Sequence, residues 1–158
     1  MITQQRLKEL VIYSPDTGKF FWTNKPELVE AGWISNGYHV IRLDGKVYKA
    51  HHLAWLYFYG ELPAMLDHED WDKLNNAITN LRRADFNLNN FNRPPHKNNK
   101  LGHRNIQQRP SGKFQVAGKW RGEYKYVGLF ANLEDAIRAA NQYRAEIENK
   151  AKLEVAHA

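Results

Sequence analysis

The chain contains no cysteine. Disulfides, cysteine nucleophiles and thiolate metal sites are thereby excluded together, so any metal must be held by His, Asp, Asn or Glu. Apolar runs approaching the roughly 18 residues of a membrane span are also missing. The N-terminal MITQQRLKELV lacks the basic start, apolar middle and small-residue cleavage site of a secretion signal. A cytoplasmic protein, with no membrane partner, is the expectation. With 42% hydrophobic residues among 158, the chain can build one ordinary domain or two small ones, and its composition points to neither disorder nor a solenoid.

Acidic residues are nearly absent from one window. Between Asn90 and Phe130 only Glu123 stands against nine bases, a net +8 in a chain whose total is +6. Phe91, Phe114, Trp120, Tyr124 and Tyr126 are interleaved with those bases. Lysine and arginine displace condensed counterions from phosphates, so a basic window with aromatics suits a polyanion. The alternative is a solvated face without a partner.

Hydrophobic periodicity places the elements. Leu7, Leu10 and Val11 recur at helical spacing in TQQRLKELVIY, with Thr3 as a cap, and SPDTGK ends that helix. FFW reads as a strand. YHVIRLDGKVYKA reads as a hairpin turning at Asp44-Gly45, a dipeptide that tolerates positive φ. HHLAWLYFYG is a buried helix. The stretch RPPHKNNK breaks helix and strand and has nothing to bury, which predicts a linker near residue 95. Beyond it, HRNIQQR, KFQVAGKW and YKYVGLF are three short strands separated by turn-forming Pro110-Ser111-Gly112 and Arg121-Gly122-Glu123. Asn132 then caps a helix with Leu133, Ala136, Ile137, Ala140, Tyr143 and Ile147 on one face. A fraying tail, AKLEVAHA, closes the chain.

Between these parts lies a concentration of polar chemistry. Asp67 and His68 are adjacent, Asn80-Leu81-Arg82 reads as a returning strand, and Asp85 caps a short helix carrying Asn89 about one turn in, facing back toward Asp67. Asn80 lies twelve positions after His68, and Asn89 nine further on. In this order and spacing the chain resembles the HNH endonuclease family with its ββα-metal unit. Gly37-Tyr38, Leu43-Asp44-Gly45-Lys46, Ala50-His51-His52-Leu53-Ala54-Trp55 and Gly60-Glu61-Leu62-Pro63 are similar to the phage and intron-homing branch.

The resemblance implies that His68 is the general base, that Asp67 and Asn89 are metal ligands, and that Asn80 braces the strands that aim His68. A neutral-pH base suits phosphodiester hydrolysis, and hard oxygen donors favour Mg²⁺ or Mn²⁺ over Zn²⁺. The chain departs from relatives at His52, where many carry Arg, and at Glu69-Asp70-Trp71, where Ile-Asp-Gly is common. Of His51 and His52, one is expected to be buried, orienting the hairpin, and the other to stand near the site entrance, while Asn75 and Asn76 are expected to act as turn residues.

Residues 103–147 are similar to the AP2 DNA-binding domain. The matching pieces are Arg104-Asn105-Ile106-Gln107-Gln108-Arg109-Pro110, Gly112-Lys113-Phe114, Tyr126-Val127-Gly128-Leu129-Phe130 and the alanine-rich helix. That resemblance implies a sheet entering the major groove, with Arg104, Gln107, Arg109, Lys113, Phe114, Lys119, Arg121 and Tyr126 at or beside the reading positions. Gln107 replaces the family's first-strand Arg, Phe114 and Tyr126 its two Trp residues, and Asn105 its usual Gly. Glutamine prefers adenine where arginine prefers guanine, so the sequence preference should differ.

The expected architecture is α+β: an HNH domain over 1–93, a linker over 94–102, an AP2-like three-stranded antiparallel sheet with one helix over 103–149, and a tail over 150–158. The expected activity is cleavage of double-stranded DNA by a monomer or homodimer of the homing type found in phages. A non-catalytic DNA-binding regulator on the same scaffold, and RNA binding by the basic window, are the rival readings.

Overall fold

A computed structural model describes residues 1–156 and shows a mixed α+β chain in two compact units, 1–84 and 85–158. No helix among the described residues is long and apolar enough to cross a membrane.

The first unit opens with α1 (Gln4–Leu10), whose Thr3 hydroxyl accepts the Arg6 N–H at 3.2 Å. The chain then enters β1 (Val11–Ser14), antiparallel to β2 (Lys19–Trp22). The expected helix over TQQRLKELVIY thus stops at Leu10. Val11 and Tyr13 alternate with exposed Ile12, and the core rewards the strand by taking both inward residues. A three-stranded sheet follows in the order β3 (Trp33–Ser35), β4 (Tyr38–Leu43), β5 (Lys46–Lys49), with the expected turn at Asp44-Gly45. Strand β3 was not foreseen. It is joined to β4 through Asn36-Gly37, both at positive φ.

Helix α2 (Ala50–Tyr59) buries Leu53, Ala54, Trp55 and Leu56 and ends on Gly60 in the left-handed conformation. Its apolar residues join Leu7, Val11, Phe20, Ile41, Leu66 and Leu81 in one core. Against that core lies the antiparallel pair β6 (Leu66–His68) and β7 (Leu81–Arg83).

The second unit begins with α3 (Phe86–Phe91), where the Asp85 carboxylate accepts the Leu88 N–H at 2.7 Å. The expected division lay in the proline stretch near residue 95. The structure divides after Ala84 because Phe91 packs edge-on against Trp120 and Tyr143, with centroids 5.4 and 6.2 Å away, tying α3 to the C-terminal elements.

Strands β8 (Ile106–Gln108), β9 (Phe114–Trp120) and β10 (Glu123–Phe130) form an antiparallel sheet with β9 central. Helix α4 (Leu133–Ala156) covers one face, burying Ala136, Ala140, Tyr143, Ile147 and Ala151. A Cβ on Gly118 would fall 2.3 Å from the Tyr143 ring, so only glycine lets the helix seat here. The tail expected to fray instead continues α4 through Ala156, and the last two residues of that expectation lie outside the described residues.

Candidate active site

Strand β6 places three consecutive buried residues, Leu66, Asp67 and His68, opposite Arg83, Arg82 and Leu81. The Asp67–Arg82 register turns two charges into neighbours inside the protein. Arg82 donates from Nε and Nη2 to Asp67 Oδ2 at 3.0 and 2.8 Å, and reaches Glu69 Oε1 from Nη1 at 3.5 Å. A buried charge needs such a partner, since desolvating it alone costs several kcal/mol.

The loop joining β6 to β7 is fastened by its own polar groups. Asn80 is 7% exposed; its Oδ1 accepts the Asp70 N–H at 3.1 Å, and its Nδ2 donates to Asp70 Oδ1 at 2.9 Å and to the Asn75 carbonyl at 2.8 Å. Asp70 also accepts the Asp72 N–H and the Asn75 amide. Burial works to raise its pKa, yet these bonds hold it below the ordinary carboxylate value. The expected turn role of Asn75 is present, as its Oδ1 accepts the Ala77 N–H at 3.3 Å.

Asn76 does more than turn the chain. Its Oδ1 stands 3.3 Å from His68 Nε2, its Nδ2 donates to the Leu74 carbonyl at 3.0 Å, and its carbonyl accepts the Tyr13 hydroxyl at 2.7 Å. Gly18, at φ +71°, makes room for it: a Cβ there would lie 2.3 Å from the Asn76 carbonyl carbon. Nothing in the spacing of Asp67, His68 and Asn80 singled out Asn76, although a second asparagine in the same turn was the available hint.

Three histidines meet at this point. The His51 ring stacks edge-on to His68 with centroids 4.9 Å apart and to His52 at 4.5 Å, and lies 5.5 Å from Tyr38. Burial, reinforced by His52, His68 and Lys49, pushes the His51 pKa down to about 3. Burial also lowers His52 and His68; for His68 it outweighs the Asn76 contact and the nearby Asp67, Asp70 and Asp72, which pull upward. All three rings are therefore neutral at pH 7.

Asp67, His68 and Asn80 thus belong to one network on the first unit, while Asn89 stands half-buried on α3 of the second. Among the described residues no group of three or more His, Asp or Glu side chains could hold a metal ion. A carboxylate and an amide make a leaner donor set.

The candidate DNA-contact residues of the second unit fall into two groups. Strand register turns Gln107, Gln115, Lys119, Tyr124 and Tyr126 away from α4. Arg109 donates to Gln115 Oε1 at 2.6 Å, and Gln115 donates in turn to the Tyr124 hydroxyl at 3.2 Å. Lys113 is exposed at the turn before β9. The second group is occupied internally. Arg104 donates to the Phe91 and Arg93 carbonyls, and burial, with the like charges of Arg144 and Arg93, pushes its pKa down to about 10. Phe114 packs into the core under α4. Arg121 pairs with Asp85 and Glu154 at 2.7 and 2.8 Å. Gln115 and Tyr124, both on the outer face, were absent from the sequence-based set.

No curated protein and no solved structure matches the chain. Residues 48–89 match the family described as HNH endonuclease, a stretch running from β5 through α2, β6 and β7 into α3. That match, over the segment holding the Asp67–His68 strand and the Asn80-braced loop, supports an HNH nuclease.

Proposed function

We propose that the protein is a metal-dependent endonuclease that hydrolyses phosphodiester bonds of DNA at the β6–β7 site, with the C-terminal sheet binding the duplex. The observation that carries this reading is a neutral His68 held on a buried strand beside Asp67, its loop fastened by Asn80, inside the segment matching HNH endonucleases.

Neutrality is what the chemistry asks of His68. A base must have its lone pair available to take a proton from the attacking water. An Nε2–H donating to Asn76 Oδ1 puts that lone pair on Nδ1. Water oxygen attacks phosphorus as its proton passes to the imidazole, and the bond to the 3′ oxygen breaks. The imidazolium so formed is stabilised by the same Asp67, Asp70 and Asp72 charges that pull its pKa upward. Asn80 acts as a positioning residue, holding the loop and hence the strand that carries His68.

The donor chemistry fits a hard divalent cation. By the resemblance to HNH endonucleases Asp67 and Asn89 are its candidate oxygen donors, and Asp67 also receives two N–H bonds from Arg82. Mg²⁺ or Mn²⁺ suits such oxygens, and when bound supplies charge stabilisation at the phosphoryl group and departing oxygen.

On the second unit, Arg109, Lys113 and Lys119 serve as phosphate contacts, while Gln107 and Gln115 present amides to base edges and Tyr126 stacks or packs on the sugar. A single site cuts one strand per binding event, so cleavage of both strands would call for a homodimer or successive nicks.

The Asp67–Arg82 pair favours one second reading, in which the HNH scaffold persists as a non-catalytic DNA-binding regulator and Asp67 serves as a brace. Incubating the full chain with supercoiled plasmid and Mg²⁺ or Mn²⁺, beside a chelated control, separates the two. Cation-dependent nicking establishes the nuclease; an intact plasmid with retained DNA binding establishes the regulator.

A further inference from the structure

We infer that Tyr38, Lys49 and Lys73 form a phosphate clamp on the first unit, which holds the backbone of the strand presented to His68. The inference deepens the nuclease reading above and rests on it for the identity of the ligand.

Three elements build the clamp. Tyr38 opens β4, Lys49 ends β5 and Lys73 comes from the loop between β6 and β7. The two ammonium groups lie 4.2 and 4.8 Å from the centroid of the same Tyr38 ring. Aromatic faces attract ammonium groups and orient them, but do not neutralise them. Among the described residues neither ammonium is ion-paired with a carboxylate. Two like charges gathered at one half-buried ring, neither with a carboxylate partner, suit an anion.

The acids nearest to Lys73 in the chain are turned away from this task. Asp70 spends its oxygens on the Asp72 N–H and on Asn75 and Asn80, and Asp72 accepts the Leu74 N–H at 2.9 Å. The loop thus spends these carboxylate oxygens on its own amides and leaves its lysine against the tyrosine. The clamp is also next to the candidate base: Tyr38 stacks on His51, and His51 on His68, so one ring separates them. Lys49 is close enough to both His51 and His52 to help lower their pKa values.

A singly charged phosphodiester suits two exposed ammonium groups held at one ring, and their exposure leaves the flanking sugars in water. Gripping the strand one ring away from His68 would fix which phosphate meets the base.

The test uses the full chain in chelator, so that binding is read without cleavage. Fluorescence anisotropy of a labelled duplex is recorded across salt concentrations for wild type, Lys49→Gln/Lys73→Gln, and a charge-matched Lys25→Gln/Lys46→Gln control, with thermal melts verifying that each is folded. The clamp variant should flatten the slope of log affinity against log salt by about 1, at about 0.9 for the one phosphate held, while the control leaves it unchanged. Tyr38→Phe, which keeps the ring, should bind as wild type does. In the matching Mg²⁺ cleavage assay the clamp variant should raise KM tenfold or more and leave kcat near wild type. Equal slopes for clamp and control variants overturn the clamp even if wild type cleaves. A flattened slope in a protein that never cleaves overturns the nuclease reading and leaves the clamp standing. Displacement of the duplex by inorganic phosphate, beyond what chloride achieves at equal ionic strength, overturns a backbone clamp in favour of a small-anion site.

Discussion

The β6–β7 network and the outer face of the C-terminal sheet use polar residues in opposite ways. Around β6, Asp67, Asn76, Asn80 and Arg82 are each 9% exposed or less and are bonded to one another or to the backbone. On the sheet, Lys119 and Tyr126 project into solvent from the face opposite α4. A buried network fixes geometry before any ligand arrives, which is what bond-breaking chemistry requires. An exposed face can adapt its side chains to a partner, and its energy is spent on contact. Under the proposed function, chemistry would fall to the buried network and grip to the exposed face.

Breaking a buried pair should show the contrast most strongly. Arg82→Ala leaves the Asp67 carboxylate buried without its partner and should cost about 3–5 kcal/mol in urea unfolding. Arg121→Ala removes pairs to Asp85 and Glu154 that are more than a third exposed, and should cost less than about 1 kcal/mol.

Acid should sharpen the same difference. The folded protein holds His51 neutral with a pKa of about 3, against an ordinary value of 6.5, so the unfolded chain binds more protons between those limits. Stability is therefore complete above pH 6.5 and falls as the pH drops, by up to about 1.4 kcal/mol for each unit. His52 and His68, also lowered, add to the upper part of that window. Denaturant titrations from pH 7.5 to 5 check this, and His51→Phe should flatten the curve where carboxylates do not yet titrate.

Asn80→Ala should come next, costing about 1–3 kcal/mol by leaving the Asn75 carbonyl without its side-chain donor and the Asp70 N–H without its acceptor. On the sheet, Lys119→Gln should leave the melting temperature unchanged and reduce the salt slope of DNA binding by about 1. A large loss of stability from Lys119→Gln would erase the distinction between the two regions.

Local chemistry was readable where a few neighbouring residues decide the outcome. The Thr3 and Asp85 caps, the Asp44-Gly45 turn and the apolar face of α4 all stand where residue type and period put them. What escaped was set by long-range pairing. Val11 and Tyr13 read as helix until β2 is available to pair with them, and β3 hid behind Asn36-Gly37, a turn dipeptide as strong as the one that was recognised. At the site, the spacing of Asp67, His68 and Asn80 marked a segment that folds into one network, but the partner of Asp67 depends on a strand register no local pattern reveals. Likewise Phe114 and Arg104 look like DNA readers by type, and only the packing of α4 and Phe91 turns them inward.

The central claim is that His68 is the base. It is tested most directly by plasmid cleavage in Mg²⁺ with His68→Ala beside wild type, once matched melting curves show both to be folded. The loss of a positioned proton acceptor should slow nicking by about 10²–10⁴-fold. Equal rates in the two proteins would contradict it.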